Sequence, residues 1–161
     1  LEYCLPITGR DVWLSANISP ISENSVILVA RDVSDRKHAE AALRESEERF
    51  RAIFEQAAVG IALATTEGQI IRVNQRLCDL LGYSESTLLS MTAQSITHPE
   101  DLEKNLKYTQ QALLGKIQTY SIETRYICHD GQLRWVNLTA SLLRNTAGIP
   151  QYFIGVLEDI H

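Results

Sequence analysis

The stretch DGQLRWVNLTASLL, Asp130–Leu143, decides the fold, because the chain carries a second copy of it near its start. The copy is TGRDVWLSANISPI, Thr8–Ile21, and it aligns Trp13 with Trp135. Self-similarity of this kind marks repeated structural modules. The repeat therefore predicts that the chain contains parts of two related modules.

A second pair of matching segments follows the first pair at a similar distance. Val26–Val33 reads VILVARDV and Phe153–Ile160 reads FIGVLEDI, which places Asp32 on Asp159. Only the later copy is preceded by a long segment of its own, Glu48–His129. The chain is therefore expected to hold the tail of one module, a connector and one complete module, as a slice of a longer tandem protein.

The bulk composition narrows the class of protein. The chain has 161 residues, of which 45% are hydrophobic, and a net charge of −5. This apolar content suffices for a packed core, and the negative charge argues against a nucleic-acid surface. No run of about 18 apolar residues occurs, so no membrane span is predicted in this segment. Cys4, Cys78 and Cys128 fit neither a disulfide framework nor a metal site, which favours a reducing, cytoplasmic setting.

Residues 1–34 are predicted to form a β-hairpin. Its strands are Leu14–Ile18 and Val26–Val33, joined by a turn at residues 22–25. Two strands alone are marginally stable in water. This orphan hairpin is therefore expected to pack against a host, either a neighbouring chain or the sheet face that carries Trp135.

A connector helix is predicted over residues 35–57, because no glycine lies between Gly9 and Gly60. Apolar residues recur along it at alternating spacings of three and four, as in a two-stranded coiled-coil seam. The residues of this seam are Ala39, Leu43, Phe50 and Ile53, with Ser46 as a polar interruption. The seam predicts a homodimer, and a solvated amphipathic helix lying on its own domain is the alternative that stays open.

Residues 58–161 are interpreted as a complete α+β module. Its predicted elements, in chain order, are the strands Gly60–Ala64 and Ile70–Val73, the helices Gln75–Leu81 and Ser84–Leu89, a longer helix from Pro99 to about Leu114, and the strands Thr119–Ile127, Leu133–Arg144 and Tyr152–Asp159. Asn74 is expected to cap the first short helix, and Pro99 occupies the first position of the longer one. This order predicts one five-stranded antiparallel sheet with helices on one face.

The module resembles the PAS sensory domain family in the order and spacing of its short motifs. These motifs are Val73-Asn74, Leu81-Gly82-Tyr83, His98-Pro99-Glu100-Asp101-Leu102, Asp130-Gly131, Arg134-Trp135-Val136, Gly155-Val156 and Glu158-Asp159-Ile160. The resemblance covers Phe50–His161 as a whole domain and Gly9–Lys37 as the end of another. It implies a five-stranded sheet that cups a small pocket. It also implies a role as an input or relay module in bacterial histidine kinases, diguanylate cyclases and similar regulators.

The inward faces of the predicted elements supply the candidates for that pocket. These inward-facing residues are Leu77, Leu81, Leu106, Leu113, Tyr120, Ile122, Thr124, Tyr126, Val136, Leu138 and Leu157. A ligand site is mostly apolar with a few placed polar groups, and Tyr120, Thr124 and Tyr126 are the polar groups available. The same residues would also form a plain core, so both interpretations stay open.

Neither flavin nor haem is expected in the pocket. The flavin-binding members of the family have a reactive cysteine in the helical region, and Met91–His98 contains none. The haem-binding members need an axial histidine in the longer helix, and Asp101–Leu114 contains none. His98 precedes that helix, where capping is its expected role.

No catalytic residues are assigned. Asp32 and Asp159 stand at the exits of the two copies without a nucleophile, base or metal partner, so they are expected to cap or to form ion pairs there. Two functions stay open. The first is a sensory module that binds a small ligand and relays its presence through the connector helix to neighbouring PAS and output domains. The second is a ligand-free module for dimerisation and coupling between other domains.

Overall fold

The computed structural model describes residues 1–160, and the chain divides into two compact units, Leu1–Ala52 and Ile53–His161. His161 lies outside the described residues. The division falls within the connector helix. Module boundaries at residues 34 and 57 therefore stay a prediction.

The first unit contains a three-stranded antiparallel sheet, which corrects the predicted two-stranded hairpin. Its strands are β1 (Glu2–Ile7), β2 (Arg10–Ser22) and β3 (Ser25–Asp32), with β2 in the middle. A two-residue turn joins β1 to β2, and its residues Thr8 and Gly9 have φ angles of 48° and 80°, as a type I′ turn requires. The strand β1 was not predicted, because a proline such as Pro6 argues against a strand. This proline is tolerated because β1 is an edge strand.

The connector helix α1 spans Ser34–Gln56, within one residue of its predicted bounds at each end. At its start the Ser34 hydroxyl accepts a hydrogen bond from the backbone N–H of Trp13 (3.0 Å). The Asp32 carboxylate accepts one from the backbone N–H of Ser34 (2.9 Å). Exposed ion pairs one turn apart along the helix contribute about 0.2–0.5 kcal/mol each; Glu45–Arg49 and Arg44–Glu48 are among them. None of the helices within residues 1–160 is long and apolar enough to cross a membrane.

The second unit is an α+β domain with a five-stranded antiparallel sheet, which confirms the predicted fold class. Its strands are β4 (Gly60–Thr65), β5 (Ile70–Val73), β6 (Thr119–Ile127), β7 (Leu133–Arg144) and β8 (Pro150–Asp159), in the order β5-β4-β8-β7-β6. Its helices are α2 (Gln75–Leu81), α3 (Glu85–Leu89), α4 (Ala93–Ile96) and α5 (Pro99–Leu113). The sequence did not predict α4, a single turn held by a capping box between Thr92 and Ser95, because one turn is too short to show a periodic pattern.

The core of the second unit lies between one face of the sheet and the helices. Alternate residues of β7 point inward, so Val136, Ala140 and Leu142 are buried while Trp135 remains 46% exposed. Leu81 of α2 is fully buried in the same cluster as Val136. The apolar face of β7 therefore looks toward the helices, as the alternation of its residues predicted.

The two copies of the sequence repeat share their strand register. In the first unit Leu14 of β2 pairs with Asp32 of β3. In the second unit Val136 of β7 pairs with Asp159 of β8. The sequence repeat aligns these same residues with one another, so the repeat extends to the pairing of the strands.

An equivalent backbone hydrogen bond is found at the C-terminal end of each copy. The N–H of Val33 donates to the carbonyl oxygen of Trp13 at 2.8 Å. The N–H of Ile160 donates to the carbonyl oxygen of Trp135 at 3.4 Å. Each donor directly follows the aligned aspartate, so both copies end in the same local geometry.

Asn74 joins three elements of the second unit. Its Nδ2 donates to the backbone carbonyls of Phe54 (2.9 Å) and Val59 (3.0 Å). Its Oδ1 accepts from the backbone N–H groups of Ile61 (2.9 Å) and Leu77 (3.0 Å). The side chain is fully buried, and these bonds use all four of its hydrogen-bonding positions. Asn74 thereby caps α2, as predicted, and also holds the last turn of α1 and the start of β4.

A carboxylate–guanidinium contact fixes the start of α5 on β6. Asp101 accepts hydrogen bonds from Arg125 at three points, Nε (3.0 Å), Nη2 (2.8 Å) and the backbone N–H (2.8 Å). The guanidinium also lies over the ring of Trp135, 5.2 Å from its centroid. The hydrogen bonds from Arg125 hold the pKa of the Asp101 carboxyl below its usual range.

Replacing Asp101 tests this contact through its pH dependence. Because the pKa of Asp101 is lower in the folded than in the unfolded chain, its stabilisation is complete above the unfolded value of about 3.9 and is lost as pH falls through the folded value. We expect Asp101→Asn to lower the free energy of unfolding by about 1–3 kcal/mol at pH 7. In urea titrations this difference should shrink as the pH falls from about 5 toward 2.

Glu123→Gln is the matched control for the loss of one negative charge, because Glu123 is an exposed residue of β6, the strand that carries Arg125. A stability difference between wild type and Asp101→Asn that stays constant from pH 5 to pH 2 contradicts the assigned role of Asp101.

Candidate functional site

A cavity of about 110 Å³ lies inside the second unit, between the inner face of the sheet and the helices α2, α4 and α5. All five strands of the sheet contribute to its wall. The wall is mostly apolar, and within residues 1–160 no aspartate, glutamate, lysine, arginine or histidine lines it. An engineered apolar cavity of about 150 Å³ admits benzene, so this smaller one has room for an organic molecule of fewer heavy atoms.

Some of the predicted pocket residues meet at this cavity. They come from α2, β6, β7 and β8 and are Leu77, Tyr120, Tyr126, Leu138 and Leu157. Neighbouring strands thus bring together side chains that are far apart in the sequence. Their inward direction was predictable from the alternation along each strand.

Three other predicted residues, all hydrophobic, are buried but do not line the cavity. Leu81 and Val136 are fully buried in one close-packed cluster. Ile122 of β6 is 4% exposed and also lies outside the cavity wall. An inward direction therefore selects core residues, but it does not tell which of them face open space.

The remaining predicted residues have other surroundings. The hydroxyl of Thr124 accepts a hydrogen bond from Nδ2 of Asn105 at 3.1 Å, which ties β6 to α5. Leu106 is 39% exposed on the surface of α5. Leu113, at the end of that helix, packs against a separate cluster that contains Leu142. Neither leucine lines the cavity, because the cavity lies beside other positions of α5.

Small residues on the sheet create the space, and none of them was among the predicted pocket residues. Gly155 of β8 pairs with Ala62 of β4 on one side and with Ala140 of β7 on the other. Ala140 in turn pairs with Tyr120 of β6. These residues form a row across the sheet, and all of them line the cavity. The signal is the alignment of small residues across strands, which becomes visible only when the register is known.

Two tyrosines supply phenol groups to the wall. The hydroxyl of Tyr120 lies 3.1 Å from that of Thr109 on α5. Tyr126 is buried, and no hydrogen bond of its hydroxyl is found within residues 1–160. Burial raises the pKa of both Tyr120 and Tyr126. Both phenols therefore stay neutral at physiological pH.

Gln94 of α4 adds an amide to the wall. Its Nε2 donates to the carbonyl oxygen of Glu67 at 3.0 Å. Its Oε1 is buried and has no hydrogen-bond donor within residues 1–160. The amide can approach the β4–β5 turn because Gly68 has no side chain, since a Cβ there would lie 2.1 Å from Oε1. Gln94 was not predicted because α4, which carries it, was not predicted.

Leu77 connects the cavity with Asn74. The Leu77 side chain lines the cavity, while its backbone N–H donates to Oδ1 of Asn74. The helix α2 lies directly on β4 at this point, since a Cβ on Gly60 would come within 3.0 Å of Leu77 Cδ1. A displacement of Leu77 therefore acts on the same amide that binds the carbonyl of Phe54 in α1.

The predicted exit residues have the polar contacts expected of them. Asp159 forms an ion pair with Arg134 at 2.9 Å. In the first unit hydrogen bonding from the Ser34 hydroxyl, and then from its backbone N–H, lowers the pKa of Asp32. The predicted seam residues of α1 all lie at the surface; they are Ala39, Leu43, Phe50 and Ile53.

Comparison with known proteins extends these observations. The family model described as the PAS fold matches residues 70–157. The probable diguanylate cyclase DgcE of Escherichia coli (strain K12) is 44% identical over 128 residues, which cover 80% of this chain and 11% of that protein. The sensor histidine kinase TmoS of Ectopseudomonas mendocina is 28% identical over 150 residues, which cover 91% of this chain and 15% of that protein. The chain thus spans only a small part of the length of these two relatives.

A solved structure gives the same result for the fold. The PAS domain of the HTR-like protein from Haloarcula marismortui is 28% identical and superimposes with a TM-score of 0.63. The match covers 77% of this chain and 99% of that one. With the sheet order, the cavity and the matching family model, these comparisons lead to one conclusion: the chain belongs to the PAS fold family.

Proposed function

We propose that the second unit is a sensory module that binds a small uncharged molecule in its cavity and relays this binding to the connector helix. The observation that carries the proposal is the path from the cavity wall to α1. Leu77 lines the cavity and Asn74 binds both the N–H of Leu77 and the carbonyl of Phe54. The module itself is sensory rather than catalytic, and any catalytic output belongs to other parts of the parent protein.

The composition of the wall supports an uncharged ligand. An ion that leaves water for an apolar site needs a partner of opposite charge, and none of the wall residues within 1–160 provides one. The two tyrosines remain neutral because burial raises the pKa of each. A neutral molecule with an apolar body and one or two polar groups is the kind of ligand that such a cavity accepts.

The relatives support a place for the module in a multidomain signalling protein. DgcE is a probable diguanylate cyclase and TmoS is a sensor histidine kinase, and the chain matches only part of each. The parent protein is accordingly a regulator of one of these two types, with the module in the cytoplasm beside an output domain. The repeated register of β2–β3 and β7–β8 supports a second PAS module upstream, of which residues 1–34 are the end.

Filling the cavity tests the ligand site. Ala140 lines the cavity and is buried, so in Ala140→Leu the larger side chain occupies the space of a ligand. Native mass spectrometry of freshly purified wild-type protein should show a bound small molecule. In Ala140→Leu we expect the loaded fraction to fall at least about tenfold, since filling the cavity removes the apolar contacts that hold the ligand.

Ala147→Leu is the matched control, because Ala147 lies in an exposed turn away from the cavity. Circular dichroism establishes that each variant is folded. A wild-type protein without a bound molecule, or an Ala140→Leu protein that retains it in full, contradicts the proposed ligand site.

A second candidate function, ligand-free dimerisation and coupling through α1, is favoured by the exposed seam. Leu43 and Ile53 are 61% and 65% exposed, which is costly for an isolated helix and ordinary for a coiled-coil seam before it pairs. The heptad spacing of Ala39, Leu43, Phe50 and Ile53 supports a second copy of the same helix as the partner. A dimer is compatible with the sensory function, because it would let two connector helices move against each other.

Light scattering tests the dimer. We expect wild type to be dimeric at micromolar concentration and Leu43→Glu/Ile53→Glu to be at least about tenfold weaker in association, because four charges would then meet in one seam. Ala41→Glu, on the opposite side of the helix, is the matched control and should stay dimeric. A wild type that is monomeric throughout the micromolar range rules out this interface.

A further inference from the structure

We infer that the hydroxyl of Tyr126 anchors the ligand and that the ligand carries a neutral hydrogen-bond acceptor, such as a carbonyl oxygen. This inference rests on the proposed ligand site and names the chemistry of its ligand. Tyr126 lines the cavity and is only 4% exposed. Among the described residues, the tyrosine hydroxyls with a hydrogen bond are those of Tyr83 and Tyr120. The O–H of Tyr126 is therefore a donor without a partner, and a bound acceptor completes it.

The Tyr126 hydroxyl is open to the cavity rather than enclosed by packed atoms. Within residues 1–160, the enclosed side-chain atoms that lack a hydrogen-bond partner are Gln94 Oε1 and Asn105 Oδ1. The Tyr126 oxygen also lacks a partner but is not one of these enclosed atoms, so it keeps accessible surface although the residue is buried. The cavity is the space that this side chain lines, and a molecule there can reach the hydroxyl.

A second phenol lies in the same part of the cavity. Burial is the main reason for the raised pKa of Tyr126, and the neighbouring Tyr120 phenol raises it further. Tyr120 also lines the cavity, and its ring stacks on that of Tyr108 with the centroids 5.4 Å apart. The two phenols therefore form a polar region in a wall that is otherwise mostly apolar.

The proton of the Tyr120 hydroxyl is already used within the protein. The Thr109 hydroxyl contacts two oxygens, the backbone carbonyl of Asn105 at 3.0 Å and the hydroxyl of Tyr120 at 3.1 Å. Thr109 has one proton and the carbonyl has none. Both contacts are hydrogen bonds when Thr109 donates to Asn105 and Tyr120 donates to Thr109. The donor that remains for a ligand is the hydroxyl of Tyr126.

The other polar side chains of the wall are directed elsewhere. Hydrogen bonds from the hydroxyls of Thr66 and Thr65 lower the pKa of Glu67, so the protons of both threonines point at that carboxylate. Gln94 donates from Nε2 to the backbone carbonyl of Glu67, and its Oε1 is enclosed. Recognition of a polar group on the ligand is therefore assigned to Tyr126.

The volume and the charge of the cavity limit the class of ligand. A space of about 110 Å³ fits an organic molecule of about five non-hydrogen atoms, since an engineered cavity of about 150 Å³ holds benzene. Its apolar part would lie against Leu138, Leu157 and Phe153. No cationic side chain of the described residues lines the cavity, so a neutral oxygen is favoured over a carboxylate. Small ketones have these properties.

The test uses two probes of the same shape, butanone and 2-methylbut-1-ene, in which a CH₂ group replaces the carbonyl oxygen. Their dissociation constants are measured by nuclear magnetic resonance titration against wild type and Tyr126→Phe. We expect the ratio of butanone to alkene affinity to fall about tenfold in Tyr126→Phe, since phenylalanine keeps the ring and removes the donor. An unchanged ratio overturns the inference and leaves the ligand site standing.

Tyr83→Phe is the matched control, because the Tyr83 hydroxyl donates to the backbone carbonyl of Ile127 and does not line the cavity. It should leave the affinity ratio as in wild type, and an equal fall there overturns the inference. Binding of neither probe to wild type also overturns it, whereas the Ala140→Leu experiment judges the ligand site independently.

Urea unfolding without probes gives a second readout. Removing a hydroxyl that has no partner in the protein should leave the urea midpoint of Tyr126→Phe at or above that of wild type. The midpoint of Tyr83→Phe should fall, because its hydrogen bond to Ile127 is lost. An equal fall in Tyr126→Phe would mean that this hydroxyl is bonded inside the protein, and it would overturn the inference.

Discussion

The second unit depends on the side chain of Asn74. A buried amide has four polar positions, and each one left without a partner costs roughly 1–3 kcal/mol. Asn74 fills all four with backbone groups at the end of α1, the start of β4 and the start of α2. None of these elements can move away alone without leaving a buried polar group unsatisfied. The end of α1, the start of β4 and the start of α2 are therefore expected to move or open together.

The cavity is the second constraint, and it follows from the same close packing. Protein interiors are normally filled to crystalline density, so open space needs a cause. Here the cause is the row of small residues Ala62, Gly155 and Ala140 across the middle of the sheet. Farther along β7 the larger Val136 and Leu142 close the space. Leu77 lines this opening and donates its backbone N–H to Asn74, so a ligand bound as proposed would contact a residue that Asn74 holds.

The sequence predicted the elements well where local chemistry is strong. The bounds of β6 and β7 follow from alternation and from the Asp130-Gly131 turn, and those of α2 from Asn74 and its C-terminal glycine. It missed β1 and α4, because an edge strand with a proline and a single helical turn have little pattern to detect. It found only part of the cavity wall, because open space depends on which small residues pair across strands. Gln94 was missed together with α4, and its hydrogen bond to a turn 27 residues away leaves no local pattern in the sequence.

The central claim is that Asn74 makes the start of β4 and α2, which carries Leu77 of the cavity wall, one mechanical unit. The most direct measurement is native-state hydrogen exchange of the Ile61 and Leu77 amides, which both donate to Oδ1 of Asn74. The account predicts that they exchange through one shared opening, with free energies that agree within about 0.5 kcal/mol and the same dependence on denaturant. An opening of Leu77 alone, more than about 1 kcal/mol below that of Ile61, would mean that α2 moves without β4 and would contradict the account.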